Sequence, residues 1–188
     1  MSQQIDKFSM HDTIKAEEIS LADLFGPKFL FTVPIFQRPF SWTVENFDIL
    51  FEDIVGAQDN SSGQQQYFLG SILLQEFADN SYYLVDGQQR MTSIAILLAS
   101  IRDKTTNPIL RDSIKSYLYQ QKDEFKNIPE KMRITPWEEL KDLFREYVYE
   151  VSGTQRFVED FATKIKYTGP RRSKISFVRS NPNILQKG

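Results

Sequence analysis

The stretch from residue 82 to residue 101 constrains the fold most, because its apolar pattern changes period within a few residues. Tyr82 to Val85 are four β-prone residues in a row, and they predict a short, buried strand. Asp86-Gly87 then interrupts the pattern, since glycine adopts backbone angles that other residues resist. From Met91 onwards the apolar residues recur at helical spacing on one face. The sequence therefore predicts a strand that ends at a carboxylate, turns on a glycine and continues as a helix.

Polar side chains crowd the first turn of this predicted helix. They are Gln88, Gln89, Arg90, Thr92 and Ser93. The unpaired backbone N–H groups and the dipole of a helix attract anions to its N-terminus. An arginine fork and neighbouring amides are suited to gripping a phosphate there. Asp86, at the end of the strand, is suited to holding a magnesium ion or orienting a water molecule.

A purely structural interpretation of the same residues stands beside the functional one. Asp-Gly before a helix is often a cap and a turn, in which Asp86 accepts hydrogen bonds from the amides of the first turn. A cap needs only one polar residue, whereas five follow here. This surplus favours a functional site slightly.

Gln37-Arg38-Pro39 is the second candidate for phosphate binding. Pro39 forces Arg38 into an extended conformation, which allows Gln37 and Arg38 to point into a cleft. In the functional interpretation they form a second phosphate clamp that faces Arg90. In the alternative, which the residues alone favour, Arg38 stacks on an aromatic ring such as that of Trp42.

Three stretches together resemble one known family. Residues 86–93 (Asp-Gly-Gln-Gln-Arg-Met-Thr-Ser) resemble the signature of the GmrSD restriction-endonuclease N-terminal domain family. Residues 33–42 (Val-Pro-Ile-Phe-Gln-Arg-Pro-Phe-Ser-Trp) and residues 67–72 (Tyr-Phe-Leu-Gly-Ser-Ile) fit the same family, in its order and at plausible spacing. That family resembles the ParB/sulfiredoxin-like superfold. The resemblance therefore implies an α+β fold class, with a small mixed sheet flanked by helices and a helical C-terminal extension.

The resemblance also implies a function. Members of the family hydrolyse nucleoside triphosphates, act in bacterial defence against phage or modified DNA, and often carry a C-terminal His-Asn-His-type nuclease. The implied cofactors are an NTP and Mg2+. The implied catalytic residues are Asp86, which would hold the magnesium ion, with Gln89 and Arg90. The implied nucleotide-binding and phosphate-binding residues are Gln37, Arg38, Gly87, Gln88, Arg90 and Thr92. Asp53 is interpreted as a support on a neighbouring helix.

The composition excludes several other chemistries. His11 is the only histidine, which makes a Ser-His-Asp triad or a histidine-based metal nuclease implausible. The absence of cysteine excludes disulfides, zinc–thiolate sites and sulfiredoxin-type redox chemistry. No Walker loop or dinucleotide fingerprint occurs. The nuclease is therefore expected on the C-terminal part of a longer protein or on a separate subunit.

Length and hydropathy indicate a soluble protein with one full core. The chain has 188 residues, of which 40% are hydrophobic and 26% charged. No apolar run reaches the roughly 20 residues that a membrane helix needs, and Met1 to Asp12 lack the apolar core of a signal peptide. A cytoplasmic location without a membrane partner is the default prediction, and the formation of a homo-oligomer is left open.

Charge is uneven along the chain, although its net value is only −2. No acidic residue follows Asp160. The basic residues considered for contacts with DNA phosphates are Lys164, Lys166, Arg171, Arg172 and Lys174. The alternative, a solvated linker, is favoured by the residues alone. Two functions follow: an NTP-hydrolysing sensor domain in a modification-dependent restriction system, or a non-catalytic DNA-binding or specificity module that recruits a separate nuclease.

The pattern divides the chain into four segments. They are a flexible N-terminus (1–16), a ParB-like nucleotide-binding core (17–105), a helical extension (106–166) and a basic tail or linker (167–188). In the core, the predicted strands are 29–36, 68–75 and 82–85, of which the last two form a hairpin, and a helix begins at Thr43. Pro34 suggests an edge position or a bulge for the first strand. In the extension, the predicted helices are 108–121, 136–149 and 154–166, the second opened by a capping box at 135–138.

Overall fold

The structure, a computed structural model, describes residues 14–59, 68–125 and 127–168, with only the backbone given at 58–59 and 161–168. Its helices are α1 (Leu21–Leu24), α2 (Val44–Asp59), α3 (Gln88–Lys104), α4 (Pro108–Leu118), α5 (Lys141–Phe144) and α6 (Gly153–Thr168). Its strands are β1 (Leu30–Thr32), β2 (Leu73–Ala78), β3 (Ser81–Asp86), β4 (Tyr119–Gln120), β5 (Lys131–Met132) and β6 (Ile134–Thr135). A 3-10 turn (Glu138–Leu140) and a π-helical turn (Arg145–Tyr149) flank α5. The fold is α+β, as predicted.

The main sheet is mixed and has the order β2-β3-β1-β6. β2 and β3 form the predicted antiparallel hairpin, although β2 covers Leu73–Ala78 instead of residues 68–75. β1 runs parallel to both β3 and β6. At the tip of the hairpin Asn80 has a φ of 56°, which asparagine tolerates better than most residues. β1 lies inside the sheet and ends at Thr32, before Pro34. The edge or bulge predicted for this strand was therefore wrong, because the proline lies outside the paired residues.

Helix α3 lies at the centre of the hydrophobic core. Its residues Met91, Ile94, Ala95 and Ala99 are buried together with apolar side chains of the sheet, α4 and α5. The predicted change from strand to helix at residues 82–101 is confirmed. Burial on several sides explains why a helix with small residues at its centre is stable here.

The segment after residue 105 is less regular than predicted. Thr135 does not cap a helix, since it lies in β6 and pairs with Thr32 of β1. The capping-box prediction was wrong, because β-branched Ile134 and Thr135 complete the open side of β1. The helix predicted to follow is divided into the 3-10 turn, α5 and the π-helical turn. The extension is thus mostly helical, but it also supplies a strand of the main sheet.

Tyr149, the last residue of the π-helical turn, is hydrogen-bonded to the backbone of β6. Its side chain is 1% exposed. The hydroxyl group donates to the carbonyl oxygen of Ile134 at 2.8 Å and accepts from the backbone N–H of the same residue at 3.0 Å. Burial raises the pKa of Tyr149, so the phenol stays neutral. The end of the π-helical turn is therefore held on the sheet by a hydroxyl group that both donates and accepts a hydrogen bond.

A buried ion pair joins the C-terminal end of α3 to the start of α6. Arg102 donates to the carboxylate of Asp103 at 2.8 Å and to the carbonyl oxygens of Tyr149 and Glu150 at 2.9 and 2.7 Å. Asp103 also accepts from the backbone N–H and the hydroxyl group of Thr154. Burial acts to raise the pKa of Asp103, but these hydrogen bonds outweigh it, and the pKa falls below its ordinary 3.8.

Parts of the predicted segments lie outside the described residues: the N-terminus up to residue 13 and the basic tail from residue 169. Within the described ranges, no helix combines the length and the apolar character that crossing a membrane requires.

Candidate functional site

The turn between β3 and α3 brings the conspicuous polar residues together. β3 ends at Asp86, whose side chain is exposed, and Gly87 follows with a φ of 86°. A Cβ atom at Gly87 would lie 2.6 Å from Cγ2 of Ile72, so both the backbone angle and the space require glycine. Gly87 is also the N-cap of α3 and makes no side-chain cap. The capping alternative for Asp86 thus finds no support, and no side chain of the described residues caps the first N–H groups of α3.

Gln88 contacts the second predicted stretch directly. Its Nε2 group donates to Oε1 of Gln37 at 3.0 Å, and Nε2 of Gln37 donates to the carbonyl oxygen of Val85 at 2.8 Å. Gln88 is 6% exposed, and its Oε1 atom has no hydrogen-bond partner among the described residues. The structure therefore brings together Gln37 and Gln88, which lie 51 positions apart in the chain. They join the loop after β1 to the start of α3.

Gln89 is bound to the backbone of the same loop. Its Oε1 atom accepts from the N–H groups of Ser41 at 2.9 Å and Trp42 at 3.3 Å, and its Nε2 group donates to the carbonyl oxygen of Pro39 at 3.2 Å. The side chain is 6% exposed. The sequence-based prediction has this amide facing phosphates, whereas here it clamps the loop from residue 39 to residue 42 onto α3.

Arg90 lies against the backbone of Gly70. A Cβ atom built on Gly70 would come within 2.7–2.8 Å of three guanidinium atoms, and the φ of Gly70 is 104°. Nη1 of Arg90 donates to the carbonyl oxygen of Ser71 at 3.2 Å. The guanidinium is therefore held by its hydrogen bond to Ser71, and it fits there because Gly70 has no side chain.

Arg90 also lines a cavity of about 270 Å³ between α2 and the segment before β2. The lining residues are Trp42, Asn46, Ile49, Leu50, Asp53, Phe68, Leu69, Gly70 and Arg90. Two aromatic rings, three aliphatic side chains, an amide, a carboxylate and a guanidinium thus share one open space. Sites for small organic ligands commonly combine apolar walls with a few such polar groups.

Most of these lining residues were not predicted from the sequence. Asn46, Leu50 and Asp53 lie at helical spacing on α2, which places them on one face of that helix. This spacing is the feature of the sequence that could have indicated a cavity wall, since it puts two polar side chains beside an apolar one. Asp53, interpreted from the sequence as a support, lines the cavity itself.

The other predicted residues have different positions. Arg38 is exposed, and neither Arg38 nor Asp86 is among the described residues that line the cavity with Arg90. Thr92 is completely buried, and its hydroxyl group has no hydrogen-bond partner among the described residues. Of the residues predicted as catalytic or phosphate-binding, Arg90 alone is among the described residues that line this cavity, where it is joined by Asp53.

The predicted DNA-binding residues are only partly described. Lys164 and Lys166 belong to α6, of which the backbone alone is given there. Arg171, Arg172 and Lys174 lie outside the described residues.

A magnesium ion fits this turn only as part of a nucleotide complex. In the described part of the chain, no three carboxylate, histidine or cysteine side chains come together as a metal site. Asp86 offers an exposed carboxylate directly before the N-cap of α3. Because Mg2+ commonly takes one or two carboxylates together with substrate phosphates, Asp86 suits a magnesium–nucleotide complex.

Comparison with known protein families gives a match over most of the chain. The model of the family described as "GmrSD restriction endonuclease, N-terminal domain" matches residues 21–185. No curated protein matches the chain.

Proposed function

The chain belongs to the GmrSD restriction-endonuclease N-terminal domain family, and on this premise we propose that it is an NTP-binding and NTP-hydrolysing sensor domain. Membership of the family gives the chain a role in a restriction system. The nucleotide chemistry, the sensing of modified DNA and the defence against phage belong to the proposal. So does a nuclease partner, on a C-terminal domain or a separate subunit.

The observation that carries the proposal is the position of Arg90 in the wall of the cavity. Trp42 and Phe68 offer aromatic surfaces to a nucleobase in the same space. The guanidinium offers a planar set of donors to phosphate oxygens. Arg90 lies in the first turn of α3, where N–H groups without a side-chain cap add to the attraction for an anion.

The remaining predicted residues take supporting roles in this proposal. Gln37, Gln88 and Gln89 hold the loop after β1 onto α3. They thereby position Trp42, which lines the cavity, and Arg38 is an exposed cation of the same loop. Gly87 provides the turn, and Thr92 belongs to the buried side of α3.

Asp86 is proposed to act at the edge of the bound triphosphate. Its exposed carboxylate lies directly before the turn into α3. When Mg2+ accompanies the nucleotide, it supplies charge neutralisation for the phosphates. Asp86 would hold that ion or orient a water molecule, and the arginines would bind phosphate oxygens.

Tryptophan fluorescence provides a direct test of binding. The chain has two tryptophans, and Trp137 is only 3% exposed. In a Trp137→Phe background the emission therefore reports Trp42 alone. Titration with magnesium complexes of the common nucleoside triphosphates is expected to quench this emission, and phosphate release is then measured on the same samples.

Variants separate the nucleotide site from general effects. Arg90→Ala is expected to weaken binding by about tenfold or more, because a charge-assisted contact is lost. Asp86→Ala is expected to reduce phosphate release more than binding. Arg145→Ala removes an exposed arginine that pairs with Asp142 outside the cavity and serves as the control. Absence of both binding and phosphate release in the unaltered chain would refute the proposed function.

The second candidate, a DNA-binding or specificity module without turnover, is favoured by the basic residues after Asp160. It is tested with labelled duplexes, modified and unmodified, against the full chain and a form that lacks residues 164–188. DNA binding that needs no nucleotide, with no phosphate release, would favour this candidate over the first.

A further inference from the structure

We propose that Gly70 is a positioning residue, which holds the guanidinium of Arg90 in one orientation at the cavity wall. The inference rests on the proposed function, because it concerns how the same site meets a phosphate. Gly70 has no side chain that touches a ligand, so its effect passes through Arg90.

The geometry around Gly70 is unusually close. Nη1, Nη2 and Cζ of Arg90 would all lie 2.7–2.8 Å from a Cβ atom at this position. Three atoms of one planar group at nearly equal distances mean that the guanidinium lies broadside over the backbone of Gly70. Any other residue would occupy the space of the guanidinium itself.

A hydrogen bond fixes the guanidinium within that plane. The carbonyl oxygen of Ser71 accepts from Nη1 at 3.2 Å. A guanidinium has five N–H donors in a rigid fork. Ser71 takes one of them and so sets the direction of the others. An arginine ordered before the ligand arrives loses less conformational entropy on binding, which strengthens the contact with a phosphate.

A side chain at position 70 would displace Arg90 rather than unfold the chain. The atoms in the way are the far end of a long, flexible side chain, which moves at little cost. The positive φ of Gly70 adds backbone strain to any substitution, but this strain does not depend on residue 90. The two effects are therefore separable by changing both residues.

The test is a double-mutant cycle in the full chain, with Gly70→Ala, Arg90→Ala and the double variant. Binding of magnesium–ATP and magnesium–GTP is followed by the emission of Trp42. When Arg90 is present, Gly70→Ala is expected to weaken nucleotide binding about tenfold. When Arg90 is already replaced by alanine, Gly70→Ala is expected to have no further effect on binding. Equal weakening in both backgrounds, or wild-type affinity in Gly70→Ala, would overturn the inference.

Gly56→Ala is the matched control. Gly56 is a residue of α2, and beyond its chain neighbours and the backbone of its own helix no described atom lies within 4 Å of a Cβ atom at this position. This variant is expected to bind as the unaltered chain does and to be as stable or slightly more stable, because alanine favours a helix.

A second readout does not depend on nucleotide binding. An arginine-specific dicarbonyl reagent is applied without nucleotide, and modification of Arg90 is measured by mass spectrometry. Gly70→Ala is expected to increase the rate at Arg90 several-fold relative to Gly56→Ala, because the guanidinium leaves its place on the backbone. An unchanged rate would refute the positioning role. An increased rate in a chain that binds no nucleotide would refute the proposed function alone.

Discussion

Replacement of Gln89 by alanine is expected to destabilise the chain and to loosen the loop that carries Trp42. The side chain makes three hydrogen bonds with backbone groups of residues 39, 41 and 42. Each such bond contributes about 1 kcal/mol net, and one of the released N–H groups belongs to exposed Ser41, which water can reach. The free energy of unfolding should therefore fall by about 2–3 kcal/mol. For a chain of this length that corresponds to a Tm lower by about 4–12 °C.

The assay is thermal unfolding followed by circular dichroism, together with the emission of Trp42 in the Trp137→Phe background. Gln88→Ala is the matched comparison. Gln88 makes one side-chain hydrogen bond, to Gln37, and its Oε1 atom has no partner among the described residues. Gln88→Ala should lower the free energy of unfolding by about 1 kcal/mol and leave the emission of Trp42 nearly unchanged.

Gln89→Glu gives a finer discrimination. A carboxylate retains the two acceptor contacts with the N–H groups but cannot donate to the carbonyl oxygen of Pro39. The Gln89→Glu variant should be less stable than the unaltered chain, and its Trp42 emission should stay close to that of the unaltered chain. If Gln89→Ala lowered the Tm no more than Gln88→Ala, or left the emission of Trp42 unchanged, the clamp described for Gln89 would be refuted.

Three further outcomes are expected. Tyr149→Phe removes both hydrogen bonds with Ile134, and the free energy of unfolding in a denaturant titration should fall by about 2–4 kcal/mol; a smaller loss would show that β6 does not need the hydroxyl group. The pKa of Asp103 lies below 3.8, so its stabilisation is fully present above about pH 4 and is lost as the pH falls through the lower folded-state value; Asp103→Asn should flatten the acid side of a Tm-against-pH curve, and an unchanged curve would contradict this assignment. Gly87→Ala should cost about 1–3 kcal/mol, because its φ is 86° and the new Cβ atom would meet Ile72; a near-native Tm would show that the turn adapts.

The parts of the fold that local signals define were predictable from the sequence. The hairpin, the turn at Gly87 and α3 all follow from the period of the apolar residues and one glycine. The start of α4 is a further example. Asn107 accepts from the N–H groups of Ile109 and Leu110 at 3.0 and 3.3 Å, as a cap before a helix-opening proline should.

The strand β6 was not predictable in the same way. It has only two residues, Ile134 and Thr135, and its existence depends on β1, about a hundred positions earlier in the chain. Thr135 also begins residues 135–138, which fit the local pattern of a capping box. Local propensity cannot decide between a cap and a strand when the deciding partner is distant.

The candidate site was partly predictable. The sequence pattern groups Gln37 with the start of α3, and the structure brings Gln37 and Gln88 into contact. It could not tell whether the glutamines face a ligand or the backbone, because an amide offers the same donors and acceptors to both. The sequence indicates Asp53 only as a support, because its place in the cavity wall depends on Phe68 and Gly70, which lie outside α2.

The late strand β6 has a consequence for any attempt to shorten the chain. Two backbone N–H groups beside it, those of Phe31 and Val33, donate to the carbonyl oxygens of Arg133 and Thr135 at 2.8 and 2.9 Å. A fragment cut near residue 105 would leave these donors on a bare strand edge, which invites self-association. A well-behaved minimal fragment therefore has to extend at least through Tyr149.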